Sequence, residues 1–200
     1  AALSDITRVL DPIPDERVIG MSVILGRGRM LFVADTNVTE MPDAHDLAEI
    51  TVQAAKTVRR IGYTPRIALM SYSNFGQPPG ERASRLREAI DILNDWKVDF
   101  EFDGEMSPSV ALNREGMKLY PFCGLQDTAN TLIMPAIHSA SISTKMVQEL
   151  GGMTVVGPLL VGLSGSVQIC SLGAPVSDIV NMAIMAAYDL NAEHLAPADA

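Results

Sequence analysis

Two cysteines in 200 residues cannot build a disulfide framework, and neither Cys123 nor Cys170 sits in a Cys-x-x-Cys or Cys/His spacing that would hold zinc. Both have apolar neighbours and read as reduced core thiols of a cytoplasmic protein. Positive charge is also scarce: 15 Lys and Arg stand against 24 Asp and Glu, a formal net charge of −9. That balance argues against nucleic acid and anionic membrane as general partners, so an anionic ligand would need a local basic or amide-lined pocket. No apolar run reaches the ~20 residues of a membrane span, and no signal peptide opens the chain. The sequon Asn37-Val38-Thr39 carries no meaning in a cytoplasmic protein. The opening "AALSDITRVLDPIPDERV" lacks a methionine, which points to a piece of a longer protein. Repeats and low-complexity segments are absent.

The chain does have the length of one domain, or one and a half, and at 48% hydrophobic it has enough apolar content to bury roughly 70% of its unfolded surface. Residues 1–16 read as a short helix and a Pro-rich connector. "VIGMSVILGRGRMLFVADT" reads as two strands around a Gly26-Arg27-Gly28 turn. In "DAHDLAEITVQAAKTVRRIG", Leu47, Ile50, Ala54, Thr57, Val58 and Ile61 share one helical face, with Asp43 as cap and Gly62 as stop. "RIALM" (66–70) is a strand buried on both faces. "ERASRLREAIDILNDW" is a helix with Leu86, Ile90 and Leu93 inward, and "VDFEFDG" (98–104) an alternating strand. Residues 105–128 read as loop and short helix. "TLIMP" (131–135), "MTVVGPLLVG" and "SVQIC" are strands, and "SASISTKMVQELGG" is a helix stopped by Gly151 and Gly152. The last helix runs from Asp178, with Ile179, Met182, Ala183, Ala186 and Ala187 on one face. Its methionines read as a core or subunit-packing stripe. The tail, 191–200, reads as frayed.

Strands alternate with helices from residue 63 onward. The expected class is α/β, a mainly parallel sheet with helices on both faces. In such sheets ligands bind beyond the C-terminal strand ends. The segments 70–79, 134–145 and 170–178 reach that edge, and all are rich in Ser, Gly or Pro.

Most candidate motifs have an ordinary structural reading. "GRGRM" lacks the third glycine of a dinucleotide fingerprint, and "GLSGS" ends in Ser166 where a nucleophile elbow needs glycine. His138 reads as a residue hydrogen-bonding near a helix start, or as a polar contact to a ligand. His45 and His194 read as surface residues. Ser139, Ser141, Ser143 and Thr144 are placed to cap a helix or to hold phosphate. Arg82, Arg85 and Arg87 open a helix against its dipole, which calls for a solvated face, an anion or an acidic neighbour. Asp35 follows a strand as a turn residue, a metal contact or neither, and no second carboxylate at useful spacing supports a metal.

The stretches "FVADTNVTEMPDAHDLAEI", "RIALMSYSNFG", "FDGEMSPSVALN", "ANTLIMP", "STKMVQELGG", "VGPLLVGL" and "SLGAPVSDIVNM" together resemble the phosphate acetyl/butyryl transferase family over residues 3–190. More closely, "MPAIHSASISTKMVQELGGMTVVGPLLVGL" with "VQICSLGAPVSDIVNMA" resembles the C-terminal domain of bacterial hybrid malic enzymes. The resemblance implies a phosphotransacetylase-like domain over 17–190, one lobe complete and most of the other lying upstream. Active transferases of the family carry Ser-Arg-Gly at the strand-to-helix turn, whereas this chain has Ser171-Leu172-Gly173. Leucine offers no donor to a phosphoryl group, and losing such a charge-assisted contact costs on the order of 10²-fold in rate. The family's following aspartate matches Asp178, and its loop lysine matches Lys145, but that loop's acidic residues, asparagine and tyrosine are missing here.

The resemblance therefore implies a non-catalytic domain that regulates and assembles an NADP-dependent malic enzyme, with acetyl-CoA as allosteric inhibitor. The implied cleft is lined by Ser71, Ser73, Asn74, Phe75, His138, Ser139, Ser141, Lys145, Ser171 and Asp178. NADP and a divalent metal belong to a malic enzyme domain outside this sequence. A homo-oligomer is implied, dimeric through this domain and of higher order in the parent. The alternatives are a phosphate acetyltransferase that tolerates Leu172 and an assembly module without a ligand.

Overall fold

The computed structural model describes residues 2–188. In chain order its elements are α1 (Ala2–Ile6), β1 (Ile19–Gly26), β2 (Arg29–Ala34), α2 (Ala44–Arg60), β3 (Arg66–Met70), α3 (Glu81–Asp95), β4 (Glu101–Met106), α4 (Pro108–Ala111), α5 (Arg114–Met117), β5 (Thr131–Ile133), α6 (Ile137–Gly151), β6 (Thr154–Val161) and α7 (Val176–Ala187). Arg27 and Gly28 both take positive φ, 52° and 71°, the two-residue turn whose twist matches a hairpin. That turn pairs Gly26 with Arg29 and sets the β1–β2 register through Met21 and Ala34.

Six strands form one sheet in the order β4-β3-β5-β2-β1-β6. The β4–β3, β3–β5 and β5–β2 pairings are parallel, while β1 runs antiparallel to both β2 and β6. Side chains alternate across this sheet and define two cores. On one face Phe32, Ile67, Leu69 and Ile133 meet Leu47, Ile50, Ala54 and Val58 of α2 and Leu86 and Leu93 of α3. On the other, Val33, Ala68, Met70 and Leu132 meet Val110, Met117 and Leu125. The expected α/β class with helices on both faces is the observed one.

Helix α2 forms where its capping and its apolar period coincide. Asp43 accepts from the Asp46 backbone N–H at 2.8 Å while Asp46 accepts from the Asp43 N–H at 3.0 Å, a reciprocal capping box. The connector before β1 is fastened on two sides. Ile13 N–H donates to the Gly162 carbonyl at 2.9 Å, and the Ser164 N–H to that of Asp11 at 2.8 Å. On the other side the nearly buried Glu16 carboxylate accepts from Gln53 at 2.8 Å and Arg60 at 3.0 Å, and Arg17 pairs with Asp46 at 2.7 Å and Glu49 at 2.5 Å.

Several expectations are corrected. Residues 166–170 form no strand: the Gln168 side-chain amide takes both backbone groups of Leu160, at 2.9 and 3.2 Å, and Pro12 bridges to Leu163. The fourth strand begins three residues later than "VDFEFDG" suggests and does not alternate in burial. Helix α6 starts at Ile137, after Ala136 as N-cap, so the serines lie inside it rather than cap it. Their hydroxyls donate backward to carbonyls, Ser139 to Ala136 at 2.7 Å and Ser143 to Ser139 at 2.6 Å. Cys170 is exposed and not a core thiol, while Cys123 is half-buried, and that burial pushes its thiol up. On α7 the inward residues are Met182 and Met185, while Ile179 faces out. The tail 191–200 lies outside the described residues. Among the described residues no helix is long and apolar enough to cross a membrane.

Candidate functional site

The parallel strands β3 and β5 end at Met70 and Ile133, and the chain beyond each turns outward over the same edge. Between these two exits and the start of α3 lies a cavity of about 550 Å³. Its walls are mostly apolar, with Met41, Met70, Leu86, Pro108, Met134 and Pro135 among them. Its polar groups are few: Ser71, Tyr72, Arg82, Arg85, His138 and Ser139. An apolar cleft at this strand edge with a small set of polar groups is the expected form of a small-molecule site.

The three arginines that open α3 divide their work. Arg87 is spent on Glu105, Nη1 to carboxylate at 2.9 Å, which supplies the acidic neighbour that its position calls for. Arg85 lines the cavity and donates to the Pro42 carbonyl at 3.2 Å. Arg82 lines it too, and neither the Arg82 nor the His138 side chain has a hydrogen bond or ion pair among the described residues. The cavity thus carries a guanidinium and an imidazole free to meet a ligand.

The loop after β3 is held from beneath. The side chain of Glu105 is fully buried and accepts from Ser73 Oγ at 2.7 Å, the Gly76 N–H at 3.0 Å and Arg87 at 2.9 Å. Asn74 accepts from the Ser107 N–H at 2.8 Å, and Phe75 packs on Tyr120 and Phe122 with ring centroids 5.1 and 5.0 Å away. Ser71 and Ser73 hydroxyls are 3.0 Å apart.

Of the residues expected from the sequence, Ser71, His138 and Ser139 line the cavity. Ser73, Asn74 and Phe75 lie below it in the loop's own packing. Ser141 and the exposed Lys145 lie further along α6. Ser171 and Asp178 are not in the lining: Ser171 lies in an exposed turn with a fully exposed Leu172, and Asp178 accepts from its neighbour Ser177 at 3.3 Å. Tyr72 falls in the segment 70–79 expected at this edge, though it was not singled out, whereas Met41 and Glu105 are brought here only by tertiary contact.

Asp35 is a turn residue. Its buried carboxylate accepts four backbone N–H groups, those of Gly20, Asn37, Val38 and Thr39, at 2.6 to 3.1 Å. Ser164 of "GLSGS" sits in a loop, without the strand–turn–helix a nucleophile elbow requires. Among the described residues no group of three His, Cys, Asp or Glu side chains could hold a metal.

The family described as phosphate acetyl/butaryl transferase matches residues 1–187. An NADP-dependent malic enzyme of Rhizobium meliloti is 58% identical over 188 residues, 94% of this chain and 25% of that protein. The matched region is the C-terminal portion of such enzymes, so this chain spans about a quarter of their length. A phosphate acetyltransferase of Bacillus subtilis is 31% identical over 171 residues, 82% of this chain and 51% of that protein. Among solved structures, a phosphotransacetylase from Streptococcus pyogenes superposes with a TM-score of 0.87 at 28% identity, covering 94% of this chain and 58% of that one.

Proposed function

The chain belongs to the phosphate acetyl/butyryl transferase family, and we propose that it uses this fold as a regulatory and assembly segment of an NADP-dependent malic enzyme. In this reading the parent oxidatively decarboxylates malate to pyruvate, and the segment binds acetyl-CoA as an allosteric inhibitor without transferring its acetyl group. NADP and the divalent metal are assigned to the rest of the parent.

The observation that carries the reading is the pairing of a formed cavity with a turn unsuited to phosphoryl chemistry. The cavity has apolar walls for an acyl-pantetheine arm and an unengaged Arg82 and His138 for the charged end. Ser139 adds a polar contact, and Lys145, two turns along α6 from His138, extends the positive edge. At the turn, Leu172 projects into solvent where the transferase pattern has an arginine. Ser73, Asn74 and Phe75 hold the loop that carries Ser71. Ser171 and Asp178 are the retained part of the family's pattern and favour a second reading, a working phosphate acetyltransferase.

Assembly is assigned to α7. After Asp178 this helix has no charged residue, and Val176, Ile179, Val180 and Ile184 are exposed while Met182 and Met185 pack inward. A helix apolar on both sides fits a protein–protein contact, here a second copy.

The test is malate oxidation by the full-length parent with and without acetyl-CoA, repeated after deletion of this segment. Inhibition that disappears with the deletion supports the reading, and inhibition that persists sinks it. Acetyl phosphate formation from acetyl-CoA and phosphate at normal transferase rates would establish the second reading instead.

A further inference from the structure

The hydrogen bonds beneath the cavity fix the direction of every proton in one chain. Glu105 is completely buried, and all three of its partners point donors at it: Arg87, the Gly76 N–H and Ser73 Oγ. The buried Ser73 hydroxyl has one proton, and it goes to Glu105 at 2.7 Å. In the 3.0 Å contact between Ser71 and Ser73 hydroxyls, Ser71 is then the donor. Ser71 Oγ also accepts the Ser73 N–H at 3.3 Å. Its proton is spent and one lone pair is left. Ser71 lines the cavity.

We infer that Ser71 presents an acceptor to the cavity, so that the occupant must place an N–H or O–H donor against it. This rests on reading the cavity as the ligand site, and it names the chemistry at one point of that site. A phosphate oxygen at Ser71 would meet a lone pair. The anionic end of a ligand is therefore turned toward Arg82 and His138, and an amide-bearing arm lies along Ser71. Glu105 is a positioning residue: it polarises Ser71 through Ser73 and touches no ligand itself.

The probe is S-acetyl-N-acetylcysteamine, a thioester with one amide N–H, compared with its N-methylated analogue, which has none. Binding of each to the whole chain is measured by calorimetry or amide chemical shifts. N-methylation should weaken binding by about tenfold in the unaltered chain and by about twofold or less in Ser71→Ala, so the two changes couple. Ser73→Ala, which frees the Ser71 proton, should also narrow the gap. Equal penalties in the unaltered chain and Ser71→Ala overturn the inference, and so does a failure of the amide-bearing thioester to bind. Acetyl-CoA is titrated separately. If it fails to bind while the N–H requirement at Ser71 holds, the acetyl-CoA reading falls and the inference stands. If acetyl-CoA binds and the preference ignores Ser71, the reverse follows.

Discussion

Replacing Arg87 by methionine would strip a buried carboxylate of its one cationic partner while keeping most of the side-chain volume. Coulomb's law at the observed 2.9 Å and an effective dielectric of about 20 gives about 6 kcal/mol for the pair. The true cost is smaller, because the Arg87 side chain is 38% exposed and water already competes with it. Glu105 itself is fully buried and keeps two other donors, Ser73 and Gly76. A loss of about 2 to 3 kcal/mol follows, at or below the low end for breaking a fully buried pair. A chain of this length has a urea slope of about 2 to 3 kcal/mol per molar, so the unfolding midpoint should fall by about 1 M at constant slope. Arg85→Met is the control: that residue donates to one backbone carbonyl, and about 0.5 to 1 kcal/mol is expected. Equal midpoint shifts for the two variants, or an Arg87→Met shift under about 0.3 M, would refute the claim that Glu105 depends on Arg87.

Burial pushes the Asp46 carboxyl up, but the Asp43 N–H and Arg17 outweigh it and hold Asp46 below its ordinary 3.8. A carboxyl depressed in the folded state stabilises the fold above its unfolded value and loses that contribution as pH falls through the folded one. Arg17→Met should therefore cost on the order of 1 kcal/mol at pH 7, with the gap to the unaltered chain closing below about pH 4 in an acid-titrated urea series. Asp35→Asn turns an amide donor toward backbone N–H groups and should cost about 3 kcal/mol, read as a drop in melting temperature. Gly104→Ala places a Cβ 2.8 Å from the Leu69 carbonyl oxygen and 2.9 Å from its Cβ. The β3–β4 pair must then part, at a cost of about 2 to 3 kcal/mol by urea denaturation.

Local features were legible in the sequence because local chemistry determines them. The Arg27-Gly28 turn, the Asp43 cap and the apolar face of α2 each depend on residues a few positions apart. The start of α6 was misplaced because serine is as ready to bond back inside a helix as to cap one, and Pro135-Ala136 opened the helix first. "SVQIC" has a strand's composition, but the Gln168 side chain occupies the backbone groups a strand would have paired with. At the site, the strand ends were foreseeable from the alternation of elements. Glu105 was not, since its partners Ser73, Gly76 and Arg87 lie 32, 29 and 18 residues away. The one clue was the basic start of α3, where three arginines oppose the helix dipole.

The fastened connector turns a stretch of proline-rich chain into a mechanical part. Between Asp11 and Arg17 it is tied to the segment after β6 through Gly162 and Ser164, and to α2 through Glu16 and Arg17. A slack tether would absorb a pull within its own torsions. Here the torsions are tied down at both sides, and Arg17 reaches Asp46, the residue that closes the Asp43–Asp46 cap at the tip of α2. One residue before that cap is Pro42, whose carbonyl holds Arg85 at the cavity wall. The capped first turn of α2 thus stands between the connector, bound through Arg17, and the cavity wall, reached through Pro42 and Arg85.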